Sequence, residues 1–210
     1  MRRFFDILFP PRADESALRD LSDGDFVSLV VPRLVGTTRP GTVVLLPFIH
    51  SSVRAAIHEA KYHGNEHAFR LLASSLAEYL RGNNDDIHTP DAIVVPIPLG
   101  RTRRRERGFN QIEETARRAI GSLGGKEKGR LTLEPDLLIR TRETVSQVSL
   151  PRREREENMR GAFSATHPAD PDTLYILIDD VLTTGATLQA AVDALRAAGA
   201  EHVIPLALAH

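Results

Sequence analysis

The sequence predicts an α/β protein with a mostly parallel sheet flanked by helices, and three observations carry that expectation. Strand-like and helix-like patterns alternate along the chain instead of segregating into blocks. Three polar, irregular stretches, at 96–108, 141–157 and 179–187, each follow the end of a strand, so in such a sheet they converge over one edge. The third is the most informative. Its apolar run Leu174-Tyr175-Ile176-Leu177-Ile178 ends in Asp179-Asp180, passes through Val181-Leu182-Thr183-Thr184-Gly185 and opens an Ala/Leu-rich helical pattern at 186–198. A short apolar run with polar flanks reads as a buried parallel strand.

In chain order, residues 1–40 are poorly patterned, broken by Pro10-Pro11, Pro32, Gly36 and Pro40, with short helices expected at 16–21 and 24–31. Residues 42–48 read as a strand. A helix at 51–62 ends near Gly64, and a second at 66–80 is apolar at Phe69, Leu72, Ala73, Leu76 and Leu80. Residues 83–90 form a loop, and the strand 92–95 stops at Pro96-Ile97-Pro98. A helix is expected at 110–120, a glycine-rich loop at 121–129, a strand at 137–140, an irregular charged segment at 141–157 and a strand at 159–165. After the signature strand and helix, 202–207 is the last strand. No internal repeat is visible.

The bulk numbers mainly exclude. A chain of 210 residues fits one domain with a small appendage. Lys plus Arg is 27 against 28 Asp plus Glu, so net charge gives no reason to expect a nucleic-acid or membrane surface. Without cysteine there are no disulfides, thiolate metal sites or cysteine nucleophiles. Arg2-Arg3-Phe4-Phe5 leads into an apolar stretch broken by Asp6 and ended by Pro10-Pro11, unlike a signal peptide, and no stretch reaches membrane-span length. A cytoplasmic protein is the default expectation.

The signature segment suggests a chemistry. Its turn places Asp179 and Asp180 at the carboxyl edge of the sheet, where open α/β folds bind ligands. Residues Thr183, Thr184, Gly185, Ala186 and Thr187 open a helix whose free N–H groups and dipole favour a phosphate. Two acids that accept ribose hydroxyl hydrogen bonds beside a phosphate cradle suit a sugar phosphate. A P-loop NTPase would need a G-x-x-x-x-G-K-[ST] loop, which is absent. A receiver domain would need several more strands after its acids than the remaining thirty or so residues allow. A solvated strand-turn-helix is the plainest alternative.

Two further segments bear cations. Arg101-Thr102-Arg103-Arg104-Arg105-Glu106-Arg107 follows a strand, and guanidinium forks bind phosphate oxygens bidentately, so a diphosphate suits it; a solvated basic turn or a patch for an anionic polymer are the alternatives. Residues 141–157, with Arg152, Arg153 and Arg155, lack a core-facing pattern and read as a mobile lid that excludes water and neutralises a leaving group. His50, His58, His63 and His67 cluster in sequence, but Gly64 divides the last two between helices, so they read as surface or capping residues.

The signature resembles that of the type I phosphoribosyltransferases, which use 5-phosphoribosyl 1-diphosphate (PRPP). Pro96-Ile97-Pro98-Leu99, Arg107-Gly108-Phe109-Asn110-Gln111, Arg140-Thr141 with Gln147, Asn158 with Gly161-Ala162-Phe163, and 178–187 occur together in ComF-like proteins, and Glu59-Ala60-Lys61-Tyr62-His63-Gly64 resembles a further block. This region, about 48–210, is also similar to the transferase domain of amidophosphoribosyltransferases. The resemblance implies a type I phosphoribosyltransferase-like fold over 48–210, with residues 1–47 as an extension or small hood. Many ComF-like proteins carry a cysteine zinc knuckle after a segment resembling residues 4–11; here Arg12, Ala13 and Asp14 offer no thiolate, so no zinc is expected.

The same resemblance implies site roles. Asp179 and Asp180 would bind the ribose, residues 183–187 its 5′-phosphate, and Arg101, Arg103 and Arg104 the diphosphate. Arg152, Arg153 or Arg155 would stabilise departure of that diphosphate. Magnesium would arrive chelated by the PRPP diphosphate, with no all-protein metal cage. The leading expectation is a transferase that displaces diphosphate with a nitrogenous acceptor. The alternative is a non-catalytic PRPP- or nucleotide-binding accessory of DNA uptake in competence. It would contact single-stranded DNA or competence proteins, although aromatic residues are scarce at 5%. A homodimer is compatible with either.

Overall fold

The structure is a computed structural model that describes residues 12–82, 91–142 and 159–210, with the side chains of 126–128 excepted. Two short helices, α1 (Ala13–Leu18) and α2 (Asp23–Val27), precede strands β1 (Arg33–Val35) and β2 (Thr42–Leu46). The helical pair α3 (Ser51–His63) and α4 (Glu66–Arg81) leads to β3 (Ala92–Pro96). Next come α5 (Arg101–Arg107), α6 (Gln111–Ser122), α7 (Gly125–Arg130) and β4 (Leu131–Leu133). Strands β5 (Leu138–Arg140) and β6 (Phe163–Ala165) are followed by β7 (Leu174–Val181), α8 (Ala186–Ala197) and β8 (His202–Ala209).

Six strands form one sheet in the order β1-β2-β8-β7-β3-β4, parallel throughout except for the antiparallel β1 edge. The α/β architecture with a mostly parallel, helix-flanked sheet is therefore as expected. β7 lies between β8 and β3, covered on both faces, which is why its sequence is continuously apolar. Its period of two divides two cores. Ile176 and Ile178 join Val53, Leu72 and Ile112 from α3, α4 and α6. Tyr175 and Leu177 join Leu188, Val192 and Leu195 of α8, with Leu138 and Phe163 of β5 and β6. β5 and β6 pair separately as an antiparallel ribbon, Arg140 opposite Phe163.

Several boundaries differ from the sequence reading. The division at 47/48 falls inside the main sheet, because β2 pairs in parallel with β8, Val43 opposite Leu206. Leu18 and Phe26 are fully buried in the core that α3 and α4 share, so residues 12–27 pack as part of one body. The arginine run, expected as a loop, is the helix α5: Arg and Glu are good helix formers, and Gly108 ends it in the left-handed conformation (φ 77°). The glycine-rich stretch holds α7 and leads into the edge strand β4, too short to show a period. The strand expected at 159–165 is confined to Phe163–Ala165.

Candidate functional site

The carboxyl ends of β7 and β3 open into a cavity of about 210 Å³. Asp179 and Asp180, near the carboxyl end of strand β7, line it together with Thr183 and Thr187. Four residues singled out from the sequence, Asp179, Asp180, Thr183 and Thr187, thus share one cavity. Asp180 is 8% exposed. Its Oδ2 accepts from Gln111 Nε2 at 2.8 Å and pairs with Lys61 Nζ at 3.1 Å. Asp179 Oδ1 accepts from the Asp180 N–H at 2.9 Å. Burial, with the adjacent Asp180 carboxylate, pushes Asp179 up to about 7; the backbone donor and the charges of Lys61 and Arg140 oppose that rise.

The residues Arg107 to Gln111 do separate jobs here. Gly108 turns the chain out of α5. Phe109 meets Phe69 edge-on, ring centres 5.7 Å apart. Asn110 caps α6 by accepting from Ile112 N–H and donates its amide to the Ile97 carbonyl at 3.0 Å, which ties the helix start to the end of β3. Gln111 is then held over Asp180, and its own oxygen accepts from Arg107 Nη1 at 3.1 Å. A relay from Arg107 through Gln111 to Asp180 results.

The opposite wall comes from α3. Glu59 is fully buried and accepts from Arg12 through both oxygens, at 2.9 and 2.7 Å, and from Asn65 Nδ2 at 3.2 Å. The Arg12 guanidinium holds Glu59 below the ordinary carboxylate range. Two residues on, Lys61 reaches the cavity, and the Tyr62 ring lies 5.1 Å under the Arg107 guanidinium. Gly64 ends α3 at φ 59°, and Asn65 caps α4 by accepting from His67 and Ala68 N–H groups.

The loop between β7 and α8 is anchored by the Leu182 N–H on the Ala209 carbonyl at 2.8 Å. Gly185 caps α8 at φ 80° with no side chain of its own to cap the helix, and the Ala186 N–H donates weakly to Thr184 Oγ1 at 3.4 Å. A Cβ on Gly185 would stand 2.9 Å from Thr37 Oγ1 and 3.0 Å from Thr38 Cγ2, so the loop joining β1 to β2 closes on it. Thr184, Gly185 and Ala186 face this second cleft, of about 310 Å³, and not the acid cavity.

Of the arginines expected on diphosphate, Arg103 lines the cavity. Arg104 instead pairs with Glu113 at 3.2 Å, and Arg101 lies outside the cavity lining, because winding the run into a helix sends these side chains in different directions. Arg152, Arg153 and Arg155 lie outside the described residues. Lys61, Arg107, Gln111 and Arg140 belong to the cavity and were not singled out as site residues, although all four occur in the quoted motif blocks. Lys61, Arg103, Arg107 and Arg140 face two acids, one of them protonatable near neutrality: a site for a polyanion that also bears hydrogen-bond donors.

His58, Glu59 and His63 bring ligand atoms within 4.8 Å of one another, closer than the sequence reading anticipated. Both Glu59 oxygens, however, already face Arg12, and His58 Nδ1 is 2.9 Å from Asp14. A magnesium ion would find Asp180 Oδ2 already engaged by Lys61 and Gln111. Among the described residues, no helix is long and apolar enough to cross a membrane. The chain matches no family model and no curated protein.

Proposed function

We propose that this chain is a PRPP-binding, phosphoribosyltransferase-like protein that displaces diphosphate from PRPP with a nitrogenous acceptor. The observation that supports this most is the meeting of an acid pair and four cations with Thr183 and Thr187 in one cavity at the sheet edge. Asp179 and Asp180 accept hydrogen bonds from the ribose hydroxyls, and the loop to Thr187 cradles the 5′-phosphate. Arg103 and Arg107 hold the diphosphate. The C1–O bond to diphosphate breaks as the acceptor nitrogen bonds C1, the diphosphate leaves with the bonding pair, and the acceptor proton passes to solvent. Magnesium, when bound on the diphosphate, neutralises part of the leaving charge.

Calorimetric titration with PRPP and magnesium tests it. Saturable binding is expected for the wild type, and Asp180→Asn should weaken it about a hundredfold, as the loss of one to two charge-assisted hydrogen bonds implies. Equal affinity in the variant would remove the ribose assignment. Acceptor-dependent diphosphate release then tests turnover.

A second reading rests on α5, whose Arg101, Arg104 and Arg105 are exposed outside the cavity. In this reading the protein is a non-catalytic accessory of DNA uptake whose α5 contacts a single strand. Binding to an oligonucleotide that falls steeply with salt, without diphosphate release, would favour it.

A further inference from the structure

Lys61 reaches the acid pair from α3, an element that gives the cavity lining no other residue. Lys61 sits in the last turn of α3, its side chain 26% exposed and its Nζ 3.1 Å from Asp180 Oδ2. Two residues earlier, Glu59 is locked into the interior by Arg12 and Asn65, which fixes this end of α3. Lys61 therefore occupies the carboxylate that, in the reading above, a ribose diol would use. It also shares the cavity with Arg103 and Arg107.

We infer that Lys61 is an exchange residue: it caps Asp180 in the empty site and transfers to the diphosphate when ligand binds. The inference rests on the proposed PRPP-type site and names what that site selects. A ligand with the diol alone must take Asp180 from Lys61 and leaves a partly desolvated ammonium without an anion. A ligand with diphosphate alone draws Lys61 away and leaves Asp180 with Gln111 as its remaining named partner. A sugar bearing both groups satisfies both members of the pair at once. The site thus selects a 1-diphosphorylated ribose phosphate over ribose 5-phosphate. After the diphosphate departs, Lys61 returns to Asp180 and competes with the product's ribose, which favours release.

The test uses the full chain at fixed magnesium, with inorganic diphosphate and ribose 5-phosphate titrated separately into wild type and Lys61→Met. Methionine keeps helix propensity and most of the side-chain volume. Diphosphate affinity should fall about ten- to a hundredfold, the worth of one charge-assisted hydrogen bond. Ribose 5-phosphate affinity should hold or rise, because its competitor is gone. Equal losses for both ligands would mean that Lys61 only shapes Asp180, and unchanged diphosphate affinity would mean that Lys61 never reaches it; either result overturns the exchange. If the wild type binds neither probe nor PRPP, the site reading itself fails and the exchange with it. Wild-type binding with unaltered variant affinities sinks the exchange alone. Should the methionine variant not fold, Lys61→Gln is held to the same pair of outcomes.

Discussion

Glu59 and Asp179 are both acids placed against the interior, and they are treated oppositely. Glu59 has a dedicated guanidinium on both oxygens and an amide beside it, and it stays charged below the ordinary range. Asp179 has one backbone donor, a like charge as its neighbour, and cations that only partly offset burial, so it is pushed up to about 7. The difference separates two uses of a buried carboxylate. A fully partnered one fixes an element in place, here the end of α3. A under-partnered one at a cavity keeps capacity for a partner that arrives from solution.

The contrast can be broken most severely at Glu59. Glu59→Gln removes the charge that Arg12 serves, and it should lower the melting temperature by several degrees at every pH between 5 and 8. A melting curve unchanged from wild type would show that the pair is dispensable. Asp179→Asn should act in the other direction. It relieves a buried charge while retaining an oxygen for the Asp180 N–H, so at pH 8 its melting temperature should equal or exceed that of wild type. Its affinity for PRPP should still fall about tenfold through the lost charged acceptor. Destabilisation at pH 8 comparable to that of Glu59→Gln would erase the distinction between the two acids.

The pH dependence sharpens the same comparison. Because the folded-state value of Asp179 is raised from 3.8 to about 7, the folded form holds this proton more tightly than the unfolded chain does. The stabilising contribution is complete below about 4 and is lost as pH rises through about 7. The stability difference between wild type and Asp179→Asn should accordingly move against wild type between pH 5 and 8, as read by denaturant titration at each pH. A difference that stays flat would place the Asp179 titration elsewhere. The smallest effect is in ligand uptake. If ribose hydroxyls donate to ionised Asp179, binding at pH 7 should release about half a proton. That release appears as a dependence of the calorimetric heat on buffer ionisation enthalpy, and Asp179→Asn should abolish it.

How much of this was legible depended on whether a signal was local. β7 and the start of α8 were readable because a two-sided buried strand is apolar throughout, and its acids and glycine follow in fixed order. Asp179, Asp180, Thr183 and Thr187 were named from that segment alone. α5 was misread because arginine density suggested a loop for phosphate, whereas the same residues between Gly100 and Gly108 make a good helix. That error placed Arg101 and Arg104 in the site and overlooked Arg107. Lys61 and Arg140 could not be selected locally. They reach the cavity only because α3 brings its last turn to Asp180 and β5 lies outside the main sheet. The Arg12–Glu59 pair is likewise a product of tertiary packing, since nothing in either neighbourhood announces the other.

The position of β8 carries a consequence for how the molecule forms. It lies between β2 and β7, pairing Val43 with Leu206 and Ile178 with the same Leu206. Its end also supplies the Ala209 carbonyl that anchors the loop between β7 and α8. β1 and β2 are thus synthesised early and wait, without their parallel neighbour, until residues 202–209 have been made. Long-range parallel pairing of this kind makes for slow folding and an exposed strand edge in the meantime. The loop that would hold a phosphate is accordingly among the last parts of the chain to become competent, and ligand present during refolding should act on the final step and not on the early ones.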